Sequence, residues 1–213
     1  MIVIVDYKAG NIKSVFNAFK KIGQDPVVSN SYQVLEEADA IVIPGVGAFG
    51  EGMKSLKEAG LIECLNEQVI GKKKPFLGIC LGMQLLADCS LEMGEHEGLG
   101  WIGGTVKLIE TGSTGLRVPH IGWNDVDFEK GNVLFDGFVE DPVFYFAHSY
   151  YFEVTNRDYV SSCCTHGITF SSSVQKDNIF GVQFHPEKSQ SIGLKVLENF
   201  VKEAINSSGT CSG

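Results

Sequence analysis

A cysteine between two glycines is the sharpest chemical signal in the sequence. The segment Gly78-Ile79-Cys80-Leu81-Gly82 follows an apolar run and precedes a helical pattern, which is the context of a nucleophile elbow. At such a turn the nucleophile is strained, small neighbours let the chain pack closely, and the start of the next helix favours a thiolate. We therefore predict that Cys80 is a nucleophile. A cysteine that only packs in the core is the alternative, and we keep that interpretation for Cys64, Cys89, Cys163, Cys164 and Cys211.

A thiol nucleophile needs a base, and one histidine stands out. Of the five histidines, only His185 is followed two residues later by a carboxylate, that of Glu187. Residues two apart in an extended chain lie on the same side, so Glu187 can orient one ring nitrogen while the other faces Cys80. We predict this arrangement of nucleophile, base and orienting carboxylate. Taken alone, the His-Pro-Glu tripeptide is equally consistent with a structural role.

Acyl chemistry at a thiol also needs hydrogen-bond donors for the developing oxyanion. The segment Pro44-Gly45-Val46-Gly47 follows an apolar, β-branched run, and parallel strands present their carboxyl ends to one edge of a sheet. We predict that the backbone N–H groups near Val46, Gly47 and Leu81 are these donors. A plain glycine-rich turn is the alternative, since no Lys-Ser/Thr follows to make a phosphate-binding loop.

The elements that must position these residues alternate between strands and helices in the first half of the chain. Short apolar runs predict strands, and apolar residues at helical spacing predict helices. The strands are expected at 2–6, 26–29, 40–43 and 76–79, and the helices at 12–22, 35–39, 56–69 and 81–87. This alternation predicts an α/β fold with an open, mostly parallel sheet that has helices on both faces.

The second half of the chain has a different texture. Strand-like pieces separated by Gly, Asn and Asp predict a mixed sheet, at 105–109, 126–128, 143–146, 152–154, 169–174 and 179–184. A last helix is expected at 191–205. Its predicted inner face is formed by Ile192, Val196, Phe200 and Val201. We predict one domain over residues 1–206 and a polar C-terminal tail over 207–213.

Composition excludes several classes of function. The chain has 213 residues and a formal net charge of −9, which would repel a phosphate backbone, so we expect no nucleic-acid partner. No apolar stretch is long enough to cross a bilayer, no signal-like segment opens the chain, and no Cys-x-x-Cys pair occurs. We expect a cytoplasmic protein without a membrane partner. No cluster has metal-ligand spacing, so neither a metal nor an organic cofactor is expected.

Three motifs in this order resemble those of the class I glutamine amidotransferases. They are the Pro44 to Gly47 segment, the run Gly78-Ile79-Cys80-Leu81-Gly82-Met83-Gln84, and His185-Pro186-Glu187. The resemblance spans almost the whole chain. It implies a flavodoxin-like three-layer sandwich with a central mostly parallel sheet, and it implies glutamine hydrolysis by a Cys-His-Glu triad.

Further motifs are similar to one branch of this family. They are Asp6-Tyr7 with Gly10-Asn11, the runs 119–124 and 146–151, and the run from Gly181 to Ser189. The glutaminase of that branch supplies ammonia to a (β/α)8-barrel cyclase subunit in histidine biosynthesis, and the resemblance implies such a heterodimeric partner here. It also implies that glutamine is contacted by Gly47, Gln84, Glu97, His148, Ser149 and Tyr150, and that the partner is contacted by Trp123, Asn124 and Lys188.

The residues alone leave alternatives open for some of these roles. On the residues alone, a solvated carboxylate is the favoured interpretation of Glu97 and a helix-surface amide that of Gln84, while Trp123 is equally a core side chain. Two positions depart from the family pattern: Lys8 stands in place of a glycine, and His166 stands in place of an aromatic residue. Lys8 lies in the first loop after a strand, where a partner could make contact. This departure therefore affects the expected docking of the partner and none of the three catalytic residues.

Three other functions compete with this one. A paralogous glutaminase could supply a sugar-aminating synthase in surface polysaccharide synthesis, and its catalytic residues would be the same. A γ-glutamyl or peptide hydrolase would work without a partner. A catalytically silent docking module would not need Cys80, His185 and Glu187 together.

Overall fold

A computed structural model describes residues 1–128 and 131–209. Its centre is an eight-stranded sheet whose first five strands are parallel neighbours. In spatial order these are β2 (Val27–Ser29), β1 (Ile2–Val5), β3 (Ala40–Gly45), β4 (Phe76–Cys80) and β14 (Ile179–Val182). Three antiparallel strands continue the sheet: β13 (Ile168–Lys176), β12 (Val160–His166) and β9 (Asp127–Phe128).

Two smaller sheets lie beside the large one. Strands β8 (His120–Asp125) and β10 (Val143–His148) form an antiparallel pair. The other sheet has the order β11 (Tyr150–Val154), β7 (Gly104–Leu108), β5 (Cys89–Ser90) and β6 (His96–Glu97). The second half of the chain was expected to form a mixed sheet, and its strands are divided among three sheets.

Helices cover both faces of the central sheet. They are α1 (Ile12–Lys21), α2 (Tyr32–Glu36), α3 (Phe49–Glu58), α4 (Leu61–Leu65), α5 (Leu81–Gln84) and α6 (Gln190–Gly209), and a π-helical turn at Asn66–Gly71 continues α4. Side chains of one strand alternate between the faces, so Val3 and Val5 join one core with α3 to α5, while Ile2 and Ile4 join another with α1 and α6. The predicted three-layer α/β fold is confirmed.

The helix expected at 56–69 begins earlier and is interrupted. It begins at Phe49, two residues after the Pro44 to Gly47 segment. Gly60, at φ +66°, ends α3 and precedes α4, and a left-handed residue cannot continue a helix. The prediction of one helix is therefore wrong in its start and in its continuity.

The helix after Cys80 is shorter than the predicted 81–87. Helix α5 ends at Gln84 because the carbonyls that follow accept hydrogen bonds from another segment. The Leu85 carbonyl accepts from the N–H of Leu99, and the Leu86 carbonyl accepts from the N–H of Trp101. A four-residue helix has a small dipole, so its contribution to a thiolate is smaller than the sequence suggested.

Strands β12 and β8 were not predicted. The sequence of β12, Val-Ser-Ser-Cys-Cys-Thr-His, lacks the apolar alternation of a half-buried strand. Its polar side chains are paired inside the sheet instead: the Ser162 hydroxyl lies 2.7 Å from that of Ser172 and 2.6 Å from that of Ser173. Buried hydroxyls satisfied in this way replace the expected apolar contacts.

The last helix runs from Gln190 to Gly209, and residues 210–213 lie outside the described residues. Val196, Phe200 and Val201 are buried as predicted, but Ile192 is exposed. The adjacent Gly193 faces the core: a Cβ on it would lie 2.0 Å from the carbonyl oxygen of Pro186, so the helix makes its close approach there and Ile192 points outward. The predicted division into a domain at 1–206 and a tail remains a prediction. No described helix is long and apolar enough to span a bilayer.

Candidate active site

Cys80 occupies a strained turn between a strand and a helix. It ends β4 and directly precedes α5, with φ +54° and ψ −107°. A non-glycine residue at positive φ costs energy and is common at functional sites. The turn closes because of its glycines: a Cβ on Gly82 would lie 1.9 Å from the carbonyl oxygen of Ile43, and one on Gly78 would lie 2.4 Å from that of Gly82.

Neighbouring parallel strands bring three segments of the site to one edge of the sheet. Gly45, at the end of β3, is paired with Cys80, at the end of β4. On the other side of β4, Ile79 is paired with Val182 of β14, and His185 follows three residues later. The segment after β3, the cysteine and the histidine therefore meet where ligands bind in α/β folds.

His185 and Glu187 form a buried pair next to the cysteine. The Nδ1 of His185 lies 2.9 Å from the Oε1 of Glu187, and both side chains are buried. The backbone is fixed on both sides: the His185 N–H donates to the Tyr145 carbonyl at 2.9 Å, and the Ser189 hydroxyl donates to the His185 carbonyl at 2.7 Å. The structure therefore brings Cys80, His185 and Glu187 together.

The charge of the histidine is set by these contacts. Burial alone would lower the pKa of His185, but hydrogen bonds to the Cys80 thiol and the Glu187 carboxylate outweigh burial and raise the pKa to about 9. The imidazolium form is thus stabilised at neutral pH, next to a thiol that can ionise. Such a pair can attack a carbonyl carbon and protonate the leaving group.

A cavity of about 250 Å³ opens over the cysteine. Its wall contains most of the residues predicted to bind glutamine or its oxyanion. These are Val46, Gly47, Leu81, Gln84, His148, Ser149 and Tyr150, and the wall is completed by Cys80, Glu92, Pro119, Ile121 and Ala147. The volume and the polar groups suit a small polar molecule.

The carboxylate in the cavity wall is that of Glu92, and not that of Glu97. Glu97 lies on β6, is exposed, and does not line the cavity. Glu92 is half-buried, and its Oε2 accepts a hydrogen bond of 2.7 Å from the N–H of Phe49. The Glu92 N–H donates to the Ser90 hydroxyl at 3.1 Å. The loop between β5 and β6 therefore presents Glu92, and the sequence offers no periodicity that separates it from Glu97.

Two buried glutamines connect the cavity wall to the thiol. The Nε2 of Gln84 donates to the Tyr150 carbonyl at 2.8 Å and to the Oε1 of Gln183 at 2.9 Å. The Nε2 of Gln183 in turn lies 3.6 Å from the Cys80 sulfur. Gln183 was not predicted as a site residue, although it precedes His185 by two positions and so shares its side of the chain.

A buried tyrosine packs behind the segment that follows β3. A Cβ on Gly45 would lie 2.5 Å from the hydroxyl of Tyr7, so only glycine fits there. Burial, with a smaller contribution from Cys80, raises the pKa of Tyr7. The hydroxyl therefore stays protonated at neutral pH.

The three residues predicted to contact a partner differ in their surroundings. Trp123 is 49% exposed and lies edge-on to Tyr145, with ring centroids 6.0 Å apart. The Nζ of Lys188 lies 5.5 Å from the centroid of the same Tyr145 ring. Asn124 is half-buried, and its amide nitrogen donates to the carbonyl of Thr165 at 2.9 Å. Trp123 and Lys188 thus present a surface, while Asn124 is bonded inward.

The two departures from the family pattern have local explanations. Lys8 has φ +65°, a conformation that glycine adopts more easily, which accounts for the usual glycine at that position. His166 stacks on the His120 ring with centroids 4.1 Å apart, and its Nε2–H donates to the Arg117 carbonyl at 2.9 Å. Neither residue lines the cavity. Within the described ranges, no group of three or more His, Cys, Asp or Glu side chains is arranged to hold a metal ion.

Comparison with known proteins agrees with the site. The model of the class I glutamine amidotransferase family matches residues 3–204. The chain belongs to this family. This glutamine amidotransferase is 48% identical to imidazole glycerol phosphate synthase subunit HisH 1 of Campylobacter jejuni over 202 residues, which cover 95% of this chain and 100% of that protein.

Other relatives of this glutamine amidotransferase have similar names. Subunit HisH 2 of Methanococcus maripaludis is 46% identical over 204 residues, with 96% of this chain and 100% of that protein covered. Subunit HisH of Aquifex aeolicus is 47% identical over 203 residues, with 95% and 96% covered. Among solved structures, PurLQS from Thermotoga maritima superposes with a TM-score of 0.73 at 18% identity, covering 95% of this chain and 97% of that one. At that identity the likeness shows the fold alone.

Proposed function

We propose that this chain is the glutaminase subunit of an imidazole glycerol phosphate synthase. It hydrolyses glutamine with Cys80, His185 and Glu187, and it passes ammonia to a (β/α)8-barrel cyclase subunit. That subunit makes imidazole glycerol phosphate and aminoimidazole carboxamide ribotide in histidine biosynthesis. The observation that carries the chemistry is the strained Cys80, which lines the cavity and is hydrogen-bonded to His185 of the buried His185–Glu187 pair. The HisH relatives support the pathway.

The first half of the reaction forms a thioester. The Cys80 thiolate attacks the carboxamide carbon of glutamine, and the C=O double bond becomes a tetrahedral oxyanion. The backbone N–H groups near Val46, Gly47 and Leu81 stabilise that charge. All three residues line the cavity. The His185 imidazolium gives its proton to the nitrogen, so the C–N bond breaks and neutral ammonia leaves.

The second half regenerates the thiol. The neutral His185 takes a proton from water, which attacks the thioester carbon and releases glutamate together with the Cys80 thiolate. Glu187 holds Nδ1 of the ring throughout, because it accepts a hydrogen bond from that atom at 2.9 Å. A buried carboxylate in this position stabilises each imidazolium form of the cycle.

The cavity wall orients the amino-acid end of glutamine. The Glu92 carboxylate is the acidic group in the wall, and it suits the α-ammonium of the substrate. Segment 148–150 forms another part of the wall, and Gln84 supports it by donating to the Tyr150 carbonyl. These contacts place the carboxamide over Cys80.

An exposed apolar surface surrounds the mouth of this cavity and suits the cyclase subunit. Val46 and Ile121 line the cavity and are 44% and 63% exposed, and Trp123 is two residues further along the same side of β8. A partner seated on these side chains would cover the mouth and keep the ammonia away from water. Trp123 and Lys188, which share Tyr145 as a neighbour, would anchor it.

Glutamate release from glutamine tests this function. The purified chain is assayed alone and with a histidine-pathway cyclase subunit that carries its nucleotide ligand, with Cys80→Ala as the blank. Strong stimulation by the cyclase, absent in Cys80→Ala, supports the proposal. Stimulation only by a sugar-aminating synthase would identify the other ammonia acceptor, and partner-independent peptide cleavage would identify a hydrolase; either result overturns the proposed partner.

A further inference from the structure

A continuous line of buried and partly buried hydrogen bonds runs from strand β8 to the nucleophile. It begins at Asn124, whose amide nitrogen lies 3.2 Å from the Nε2 of His120. The Nδ1 of His120 lies 3.1 Å from the Nε2 of His148, and the Nδ1 of His148 lies 2.8 Å from the Tyr150 carbonyl oxygen. Gln84, which also bonds that carbonyl, continues the line to Gln183 and the Cys80 sulfur.

The donor and the acceptor in each hydrogen bond of the two histidines follow from the groups at either end, the Tyr150 carbonyl and the Asn124 amide. The Tyr150 carbonyl can only accept, so Nδ1 of His148 carries the proton and Nε2 is an acceptor. The Asn124 amide nitrogen can only donate, and its orientation is fixed because it donates to the Thr165 carbonyl while its oxygen accepts from the Asp125 N–H. His120 therefore accepts at Nε2 and donates from Nδ1 to His148.

Both histidines are held neutral, as this pattern requires. Burial, with a smaller contribution from His166, lowers the pKa of His120 to about 4. Burial lowers the pKa of His148 to about 3. A proton added to Nε2 of His148 would face the Nδ1–H group of His120. A proton added to Nε2 of His120 would face the N–H group of the Asn124 amide. The His120 ring is also packed between Phe146 and His166, with centroids 4.7 and 4.1 Å away.

We propose that His120 is a positioning residue for glutamine: it holds His148 and the Tyr150 carbonyl in place and ties this wall of the cavity to strand β8. His148 and Tyr150 line the cavity, whereas His120 does not. The inference deepens the glutaminase function proposed above and rests on it. Along β8, His120 and Asn124 alternate with Ile121 and Trp123, the exposed residues beside the cavity mouth. The two faces of one strand thus serve the substrate and the docking surface.

Two substitutions separate the hydrogen bond from the packing. His120→Phe keeps a ring between Phe146 and His166 but removes both nitrogens. His120→Asn removes the ring but restores an amide N–H near the position of Nδ1. In the complex with the cyclase subunit, we expect His120→Phe to raise KM for glutamine about tenfold with kcat within about twofold, the effect of one lost hydrogen bond in the binding wall. His120→Asn should return KM to within about threefold of the wild type.

Nitrogen NMR of the histidine rings tests the relay without turnover. The wild-type chain should show His120 and His148 neutral at pH 7, each with its proton on Nδ1. A proton on Nε2 of either ring, an unchanged KM in His120→Phe, or equal impairment in His120→Asn and His120→Phe would overturn the proposal. If the complex of the wild-type chain with the cyclase subunit hydrolyses no glutamine, the proposed function fails, and the NMR result still decides whether the relay exists.

Discussion

The Nδ1 of His185 lies 2.9 Å from the Oε1 of Glu187, and the two side chains are among the most buried ionisable groups of the site. A carboxylate in this position has two consequences. It fixes which ring nitrogen faces Cys80, and it stabilises the imidazolium, so that the pKa of His185 is raised to about 9 despite its burial. In the proposed mechanism, the acid that protonates the leaving nitrogen is therefore already formed at neutral pH.

The first prediction concerns the pH dependence of glutaminase activity. Because the protonated His185 is the acid, kcat/KM should fall as pH rises through about 9. The same shift stabilises the folded state: a folded pKa above the unfolded value of about 6.5 contributes stability fully below that value, and the contribution is lost as pH rises through about 9. Stopped assays of the complex between pH 6 and about 10 measure the fall of kcat/KM, which is the alkaline limb of the pH profile.

Glu187→Gln should move this limb and slow the reaction. The amide keeps the size of the side chain but cannot stabilise the imidazolium by charge, so the limb should shift to lower pH. We expect kcat to fall by about 10² to 10⁴, as for other triads that lose their carboxylate. Glu198→Gln, an exposed position on α6, is the control with the same change of charge. An unshifted limb in Glu187→Gln would show that the carboxylate does not act on His185.

A third prediction distinguishes two glutamates. Glu92→Gln should raise KM for glutamine by about 10- to 100-fold with a smaller effect on kcat, because a charge-assisted contact to the α-ammonium is lost. Glu97→Gln removes the same charge from an exposed strand residue outside the cavity, and it should leave both constants within about twofold. Steady-state kinetics of the two variants measure these constants. A larger rise of KM in Glu97→Gln than in Glu92→Gln would assign the contact with the α-ammonium to Glu97.

The elbow supplies a prediction about stability. Gly82→Ala places a Cβ where it would lie 1.9 Å from the Ile43 carbonyl oxygen, so β3 and β4 must separate. Overpacking of this kind costs about 3 kcal/mol, which lowers Tm by roughly 6–12 °C in a chain of this size. Gly71→Ala, with only the Asn66 carbonyl at 3.9 Å, should leave Tm within about 2 °C. Thermal unfolding of both variants is the measurement, and equal Tm values would contradict the account of the turn.

The docking surface can be tested by the response to the partner. Trp123→Ala should weaken binding of the cyclase subunit by about 2 kcal/mol or more, since exposed aromatic anchors dominate such interfaces. The Kd should therefore rise at least about 30-fold. Ile205→Ala removes another exposed apolar side chain, on α6, and should not change Kd. Titration calorimetry with the cyclase gives both values, and equal affinities would place the interface elsewhere.

The fold and the strand-to-helix turn at Cys80 followed from the sequence because local rules governed them. Apolar runs alternate with helical spacing through the first half of the chain, and the glycines around Cys80 mark a tight strand-to-helix turn. Topology then brings His185 next to Cys80, since β4 and β14 are parallel neighbours. A histidine 105 residues beyond the cysteine (185 − 80 = 105) could be paired with it only by expecting this sheet.

What the sequence did not predict depends on tertiary contacts. Strand β12 is stabilised by paired hydroxyls, which leave no apolar pattern. Helix α5 ends early because the carbonyls that follow it, those of Leu85 and Leu86, accept hydrogen bonds from the segment between Leu99 and Trp101. Glu92 and Glu97 lie five residues apart (97 − 92 = 5) in loops and short strands without periodicity, so only the cavity shows which carboxylate faces the substrate.

The most direct test of the account is the covalent intermediate on Cys80. The complex with the cyclase subunit is mixed with glutamine, quenched in acid during turnover, digested, and examined by mass spectrometry. We predict a γ-glutamyl adduct on the peptide that contains Cys80, its absence in Cys80→Ala, and its retention in Cys89→Ala, the same change at a partly exposed cysteine. Undiminished glutamate release by Cys80→Ala, or an adduct on a different cysteine, would contradict the central claim that Cys80 is the nucleophile.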